Sequence, residues 1–453
     1  HSSYGYGIQL YSGATFILNG GTIETTQESI DIYDSSKNVK VEINGGKVIS
    51  SDDSVLNVRG SENVAVDIKG GELVSSGRTA MYVSSYQENA ITVNISGGSL
   101  TQTAEGGMSG AIQAYKGATI NVSGTASISS ASSYGIQVQE NVALNVSGGS
   151  ISTSSRSEAV TAGEQGKVTV TGGEITSANN SAISAEENAS VTVSGGKLTG
   201  KEGRDAIEKE DDASIQVTGG SFSSDVSEYV PEDLTVETDG EGNFVVYVEV
   251  TFSDNDSTTD NDTVVKVAVG GKIDATKAPA FEKTGYTLKG WATADGTAWD
   301  MENGVVSENI TLIPVWELNA PEVSLKADKT SVQEGESITL TAEASHASAS
   351  ATFVYAWYKD GALIEGQTGA SLSVTQSGSY LVKVSAADGE FTSAQTESEA
   401  VSCTVAPAEE PDNPDIDDPD DGGDVSLAAL SFGMIAAIAG LAAGVICFKR
   451  KRA

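Results

Sequence analysis

VTVSGGKLTG, residues 191–200, sets a Gly-Gly pair between two short alternating apolar runs. It is one of nine such stretches. The others are FILNGGTIE (16–24), VEINGGKVI (41–49), VDIKGGELV (66–74), VNISGGSLT (93–101), INVSGTASIS (120–129), LNVSGGSIS (144–152), VTVTGGEIT (168–176) and IQVTGGSFS (215–223). From Gly20 to Gly219 the intervals between first glycines are 25, 25, 27, 27, 24, 24, 23 and 24 residues. A period near 24 built from strands alone means a solenoid. A second strand fits about a dozen residues upstream, as in GIQLY (7–11), SIDIY (29–33), AIQAY (111–115), GIQVQ (135–139) and AISAE (182–186). A third follows the glycines, at Ile23, Val48, Leu73, Leu100, Ile151, Ile175, Leu198 and Phe222. Three short strands per period predict a right-handed parallel β-helix of nine coils over residues 1–225.

In this arrangement Val191, Val193 and Leu198 stack on equivalent residues one coil away, while Ser190, Thr192 and Ser194 face out. Strands of successive coils lie ~4.8 Å apart, so nine coils make a rod of roughly 40 Å. Each buried Val, Ile or Leu contributes on the order of 1.5–3 kcal/mol. A phosphate-binding glycine loop leads into a helix N-terminus. A strand follows each of these pairs, so they are expected to be corners with positive φ. Coil five reads VSGTASIS, with Thr125 in place of the second glycine and Ile128 one place late. A corner can absorb that residue as a bulge.

The repeats resemble the GG-containing surface repeats of gut bacterial proteins described as carbohydrate-binding or pectate-lyase-like. That resemblance implies the β-helix. It also raises the possibility of a polysaccharide lyase or glycoside hydrolase, which needs clustered acids with Arg or Lys on one face. Arg59, Arg78, Arg156 and Arg204 fall in four different coils, and no cluster is legible. The acid pairs Asp52-Asp53 and Asp211-Asp212 read as solvated loop carboxylates. No catalytic residue, metal site or cofactor is therefore expected. Tyr11, Tyr33 and Tyr115 share one column at the end of the upstream strand, and Tyr82 occupies a nearby outward slot. Exposed tyrosines form amphipathic platforms, so these four are the candidate contacts to a glycan or a surface protein.

The 453-residue chain carries a formal net charge of -37. Nothing in it would neutralise a run of phosphates, so nucleic acid is excluded as a partner. His1 and His346 are the only histidines, which nearly removes triad and His-metal chemistry. Cys403 and Cys447 are not expected to pair, as in an exported bacterial protein built without disulfides. The chain begins in what reads as mid-repeat, as expected of a piece of a longer exported protein.

Beyond the solenoid, residues 226–249 place DGEGN between apolar runs and predict a capping hairpin. Residues 250–318 resemble the Listeria–Bacteroides repeat, also called the internalin B-repeat, on Val250-Thr251-Phe252, Gly270-Gly271, Gly285 to Trp291, Ala298-Trp299-Asp300 and Ile310 to Trp316. The resemblance implies a small β-grasp module of bacterial surface proteins. Three of the four tryptophans fall in this stretch and read as core. The loop Asp254-Asn255-Asp256…Asp260-Asn261-Asp262 lacks the fixed Gly and terminal Glu of an EF-hand, so no metal is assigned to it. Residues 319–405 predict an immunoglobulin-like sandwich. Trp357 takes the core position, Tyr380 the tyrosine corner, and Ala342 and Val382 replace the usual cysteines.

An acidic, Pro-rich linker (406–424) leads to an uncharged run (425–448) and a basic tail (449–453). The run is long enough to be a single transmembrane helix. Lys449, Arg450, Lys451 and Arg452 place the tail inside and the body outside. The layout resembles a Gram-positive sortase signal, but Asp418-Pro419-Asp420-Asp421-Gly422 keeps only the Pro and Gly of that pattern. A retained helix in the lipid bilayer is the favoured expectation, and sortase processing to the wall the alternative. Gly440 and Gly444 form a GxxxG motif that can pair helices into a dimer. The sequence thus predicts an all-β multidomain surface protein for adhesion or recognition, with an enzyme or a passive spacer as rivals.

Overall fold

A computed structural model describes residues 7–408, apart from 86, 88, 89, 211 and 256–260. The apolar run 425–448, the basic tail, Gly440 and Gly444 lie outside the described residues. So do most of the acidic linker and the middle of the Asp254–Asp262 loop. Among the described residues no helix is long and apolar enough to cross a membrane.

The described chain is all β apart from two single-turn 3-10 helices, Ser227–Tyr229 and Ala275–Lys277. Its first half is a solenoid with three faces of parallel strands. Face one stacks Ile8–Leu10, the start of Ile30–Ile43, the start of Leu56–Ile68, Met81–Ser84, Ile112–Tyr115, Ile136–Val138, Val160–Ala162, Ile183–Ala185 and Ile207–Lys209. Every neighbouring pair in this row is parallel and in register. Face two carries the strands before each glycine corner and face three those after it, as with Ile91–Ile95 and Ser99–Gln102. Nine strands per face leave eight steps between coils, about eight full turns. The inward Val, Ile and Leu residues form one continuous core.

The glycine pairs are corners, as their recurrence predicts. Gly196 has φ +88°, and an added Cβ would lie 2.9 Å from Gly173 O in the coil beneath. Gly195 has no positive φ, but its Cβ would lie 2.5 Å from Thr171 O. Close coil stacking therefore requires the first glycine, and backbone conformation adds to the same requirement at the second. In coil five the positive φ moves to Gly124, at +59°. Ile128 still pairs with Leu100, so the extra residue is absorbed at the corner and the buried Ala126 fills the space.

Two polar ladders reinforce the stack. Thr25, Ser50, Ser75, Gln102, Ser130, Thr153 and Ser177 form a buried column inside the turn between faces three and one. Several of these hydroxyls donate to turn carbonyls, such as Ser50 Oγ to Gln27 O at 2.7 Å and Ser75 Oγ to Asp53 O at 2.9 Å. On the outside of face two, Asn94 donates to Asp67, Asn121 to Asn94 and Asn145 to Asn121, at 2.8, 2.8 and 2.9 Å.

The last coil is covered. Ser221 and Phe222 pair antiparallel with Val245 and Phe244 of strand Phe244–Phe252. That strand also forms the expected hairpin with Thr235–Thr238 around Asp239. It then runs on into a second unit, pairing with Thr263–Ala268 and, in parallel, with Ile310–Leu318. Trp291 is core here, with ring centroids 4.6 Å from Phe252 and 5.5 Å from Phe281. Trp299 packs partly against that core, whereas Trp316 lines a surface cleft with Phe281 and Lys283.

The third unit packs two sheets, one of Glu322–Ala327, Ile338–Ser345 and Ser371–Val374, the other built on Thr352–Lys359, Gly378–Asp388 and Val401–Ala406. Trp357 is fully buried and donates from Nε1 to Gly369 O at 2.9 Å. Tyr380 donates its hydroxyl to Gln376 O at 2.9 Å, four residues upstream. Ala342, Val382 and Cys403 are buried in the same core.

Candidate functional site

Face one is where the outward side chains carry chemistry. Its strands are parallel and in register, so each outward position forms a column across the coils. One column reads Gln9, Asp31, Asn57, Tyr82, Gln113 and Gln137. Two residues further along each coil, where the strands end or turn, a second column reads Tyr11, Tyr33, Arg59, Ser84, Tyr115 and Gln139.

The four tyrosines form two pairs. Tyr11 and Tyr33 are direct neighbours, with ring centroids 5.3 Å apart, and are 54% and 49% exposed. Tyr82 pairs diagonally with Tyr115, with centroids 5.9 Å apart, and both are half-buried. Two hydroxyls are held in place, Tyr11 by Gln9 Oε1 at 2.6 Å and Tyr115 by Gln137 Oε1 at 3.2 Å. Partial burial raises the Tyr115 phenol above its usual value, with Tyr82 adding to the shift. Behind them Tyr134, which the sequence did not single out, is nearly buried and hydrogen-bonded to Gln113. Burial pushes its phenol up to about 12.

Between the two pairs lies a groove of about 450 Å³, lined among others by Glu28, Asp34, Asp53, Arg59, Arg78 and Tyr82. Asp31 lies beneath it and is fully buried. Its carboxylate accepts from Arg59 Nη2 at 2.9 Å, Asn57 Nδ2 at 3.0 Å and Gln9 Nε2 at 2.9 Å. That set satisfies the buried charge and fixes the Arg59 side chain. Arg59 Nε has no hydrogen-bond partner and lies 3.7 Å from Asp34 Oδ1. Arg78 Nε lies 3.7 Å from Asp53 Oδ1, which also accepts from the Ser54 N–H at 2.9 Å. Glu28 is held above the usual carboxylate range, first by burial and then by the charges of Asp53 and Asp31, against the pull of Arg59.

This groove corrects two sequence expectations. Arg59 and Arg78 belong to different coils, yet stacking brings them into one groove with three carboxylates. Asp53 is not a freely solvated loop residue but part of the groove wall. Columns at the coil period carry the signal that finds the site: Asp31, Asn57 and Tyr82 fall in one, with Arg59 in the next.

His346, the one described histidine, is engaged with backbone. Its Nδ1 accepts from Ser348 N–H at 3.0 Å, and its Nε2 lies 3.0 Å from Asn319 O.

Residues 249–314 match the family model of the Listeria–Bacteroides repeat domain, over the stretch where the sequence resemblance lies. No curated protein matches the chain. Among solved structures, the fibronectin(III)-like modules of Clostridium thermocellum CbhA match at 18% identity. The match covers 41% of this chain and 85% of that one, with a TM-score of 0.15. A Listeria–Bacteroides repeat beside a β-solenoid fits a bacterial surface protein with a surface or recognition role.

Proposed function

We propose that this protein is a recognition protein of the bacterial cell surface, and that face one of its solenoid binds saccharides. The observation that supports this best is the pairing of tyrosines on both sides of a polar groove. Aromatic faces stack on the apolar faces of sugar rings. The amides, carboxylates and guanidiniums between them suit hydroxyls, which both donate and accept. The coil spacing of ~4.8 Å is close to the length of one pyranose unit, so a linear glycan can lie along the columns. Binding of the chain to a glycan array tests the reading. Tyr11→Ala with Tyr33→Ala is expected to weaken every retained glycan, and unchanged retention would refute the role of that pair.

A second reading is a glycoside hydrolase, favoured by Glu28. Burial and the nearby carboxylates push the Glu28 carboxyl upward, the direction in which a general acid is tuned. Oligosaccharide cleavage that disappears in Glu28→Gln while binding persists would establish it. Binding with no cleavage by the parent chain leaves recognition alone, and neither activity leaves a passive spacer.

We further propose that the other units form a stalk. The second unit is read as a β-grasp module and the third as an immunoglobulin-like one. Residues 425–448 are read as a membrane anchor of a Gram-positive cell with the body outside, and Gly440 and Gly444 as a helix-pairing surface. A mature C-terminus found before Val425 would replace retention by sortase processing.

A further inference from the structure

The charges of the groove are unequal. Glu28, Asp34 and Asp53 line it and Asp31 lies beneath, four carboxylates against the guanidiniums of Arg59 and Arg78. Asp31 already takes a hydrogen bond from Arg59 Nη2. Asp34 and Asp53 each have one guanidinium at 3.7 Å, and the Arg78 side chain is 72% exposed. Glu28 accepts from the Asn57 amide at 3.4 Å and from its own backbone N–H, and among the described residues forms no ion pair. The wall formed by Glu28 and Asp53 therefore carries negative charge in excess.

Resting on the saccharide reading above, we propose that this groove takes a sugar bearing a free, protonated amine, held by Glu28 and Asp53 beside the Tyr82 ring. An ammonium offers three N–H donors and no acceptor, which matches two carboxylates that have no direct hydrogen bond from a charged donor. It is also attracted to an aromatic face. An acidic sugar would meet the opposite situation: its carboxylate would add to the excess, and Arg59, the more shielded cation, already donates from Nη2 to Asp31 and lies beside Asp34. The overall charge of -37 works in the same direction, drawing cationic ligands in and turning anionic ones away.

Calorimetry on the full chain at about pH 6 tests this with two linear β-1,4 tetramers, of glucosamine and of N-acetylglucosamine. The free-amine tetramer is expected to bind roughly ten-fold or more tightly than the acetylated one, the size of a charge-assisted hydrogen bond. Glu28→Gln should remove that preference while leaving the melting temperature no lower than the parent's. Equal binding of the two tetramers, or a preference that survives in Glu28→Gln, overturns the inference. Tyrosine-dependent binding of neutral glycans with no uptake of the amine tetramer also overturns it, while sparing the saccharide reading. If no saccharide of any charge binds, both fall.

Discussion

Replacing Gly195 or Gly196 by alanine separates two reasons for the glycine pair. In Gly195→Ala the backbone is unstrained, but the new methyl group sits 2.5 Å from Thr171 O. The obstacle is backbone of the next coil, which cannot move without shifting the stack. Overpacking of this kind costs about 1–3 kcal/mol. Gly196→Ala places its methyl 2.9 Å from Gly173 O and also holds alanine at φ +88°. A left-handed conformation adds roughly 1–2 kcal/mol for an L-residue, so about 2–5 kcal/mol is expected in total. Urea unfolding of the full chain, followed by far-ultraviolet circular dichroism, reads both. Midpoints should fall in the order parent, Gly195→Ala, Gly196→Ala. A ligand-loop role predicts otherwise, because Gly→Ala at a tolerant site stabilises by about 0.4–1 kcal/mol through the unfolded chain. An unchanged or raised midpoint in either variant would refute the corner argument.

Other expectations concern the groove and the third unit. The folded chain holds the Glu28 proton to higher pH than the unfolded chain does. Stability from this group is thus full below the unfolded pKa and is lost as pH rises through the folded one. Glu28→Gln should therefore melt increasingly higher than the parent as pH rises from the unfolded pKa of the group through its folded one, and a gap that never widens above about pH 4 would contradict the shift. Arg59→Met strands the buried Asp31 carboxylate with two amides. Its cost is expected at about 2–3 kcal/mol by chemical unfolding, below the 3–5 of a fully buried pair because Arg59 is partly exposed, and Asp31→Asn in the same chain should recover part of it. Tyr380→Phe removes the hydrogen bond to Gln376 O and should cost about 1 kcal/mol, whereas Trp357→Ala should cost about 3–5 kcal/mol through the cavity it leaves.

The solenoid was legible because one constraint repeats nine times. A glycine corner, an inward Val or Ile and a following strand recur at a near-constant period, and coil five's extra residue falls at the corner, where it can be absorbed. Trp357 and Tyr380 were legible for a similar reason, since each occupies a position that the spacing of short strands defines. The groove was not legible. Asp31 and Arg59 are 28 residues apart along the chain, and their meeting depends on the register between two coils. The Tyr82–Tyr115 pair is diagonal, so a search for equal positions finds Tyr11 and Tyr33 together but leaves Tyr82 beside the column. The buried Ser and Thr ladder was hidden too, because its residues have the composition of surface turns and are buried only through their hydrogen bonds to turn carbonyls.

The central claim is that recognition belongs to face one. Affinity for a glycan retained by the full chain should be compared among three proteins of matched stability. These are the parent, a face-one variant with Tyr11, Tyr33, Tyr82 and Tyr115 all changed to Ala, and a face-two variant with Asn94, Asn121 and Asn145 changed to Ala. At ~0.5–1.5 kcal/mol for each aromatic contact, the face-one variant should bind more weakly by roughly thirty-fold or more. The face-two variant should bind like the parent. Undiminished binding by the face-one variant, or a loss confined to the face-two variant, would contradict the account.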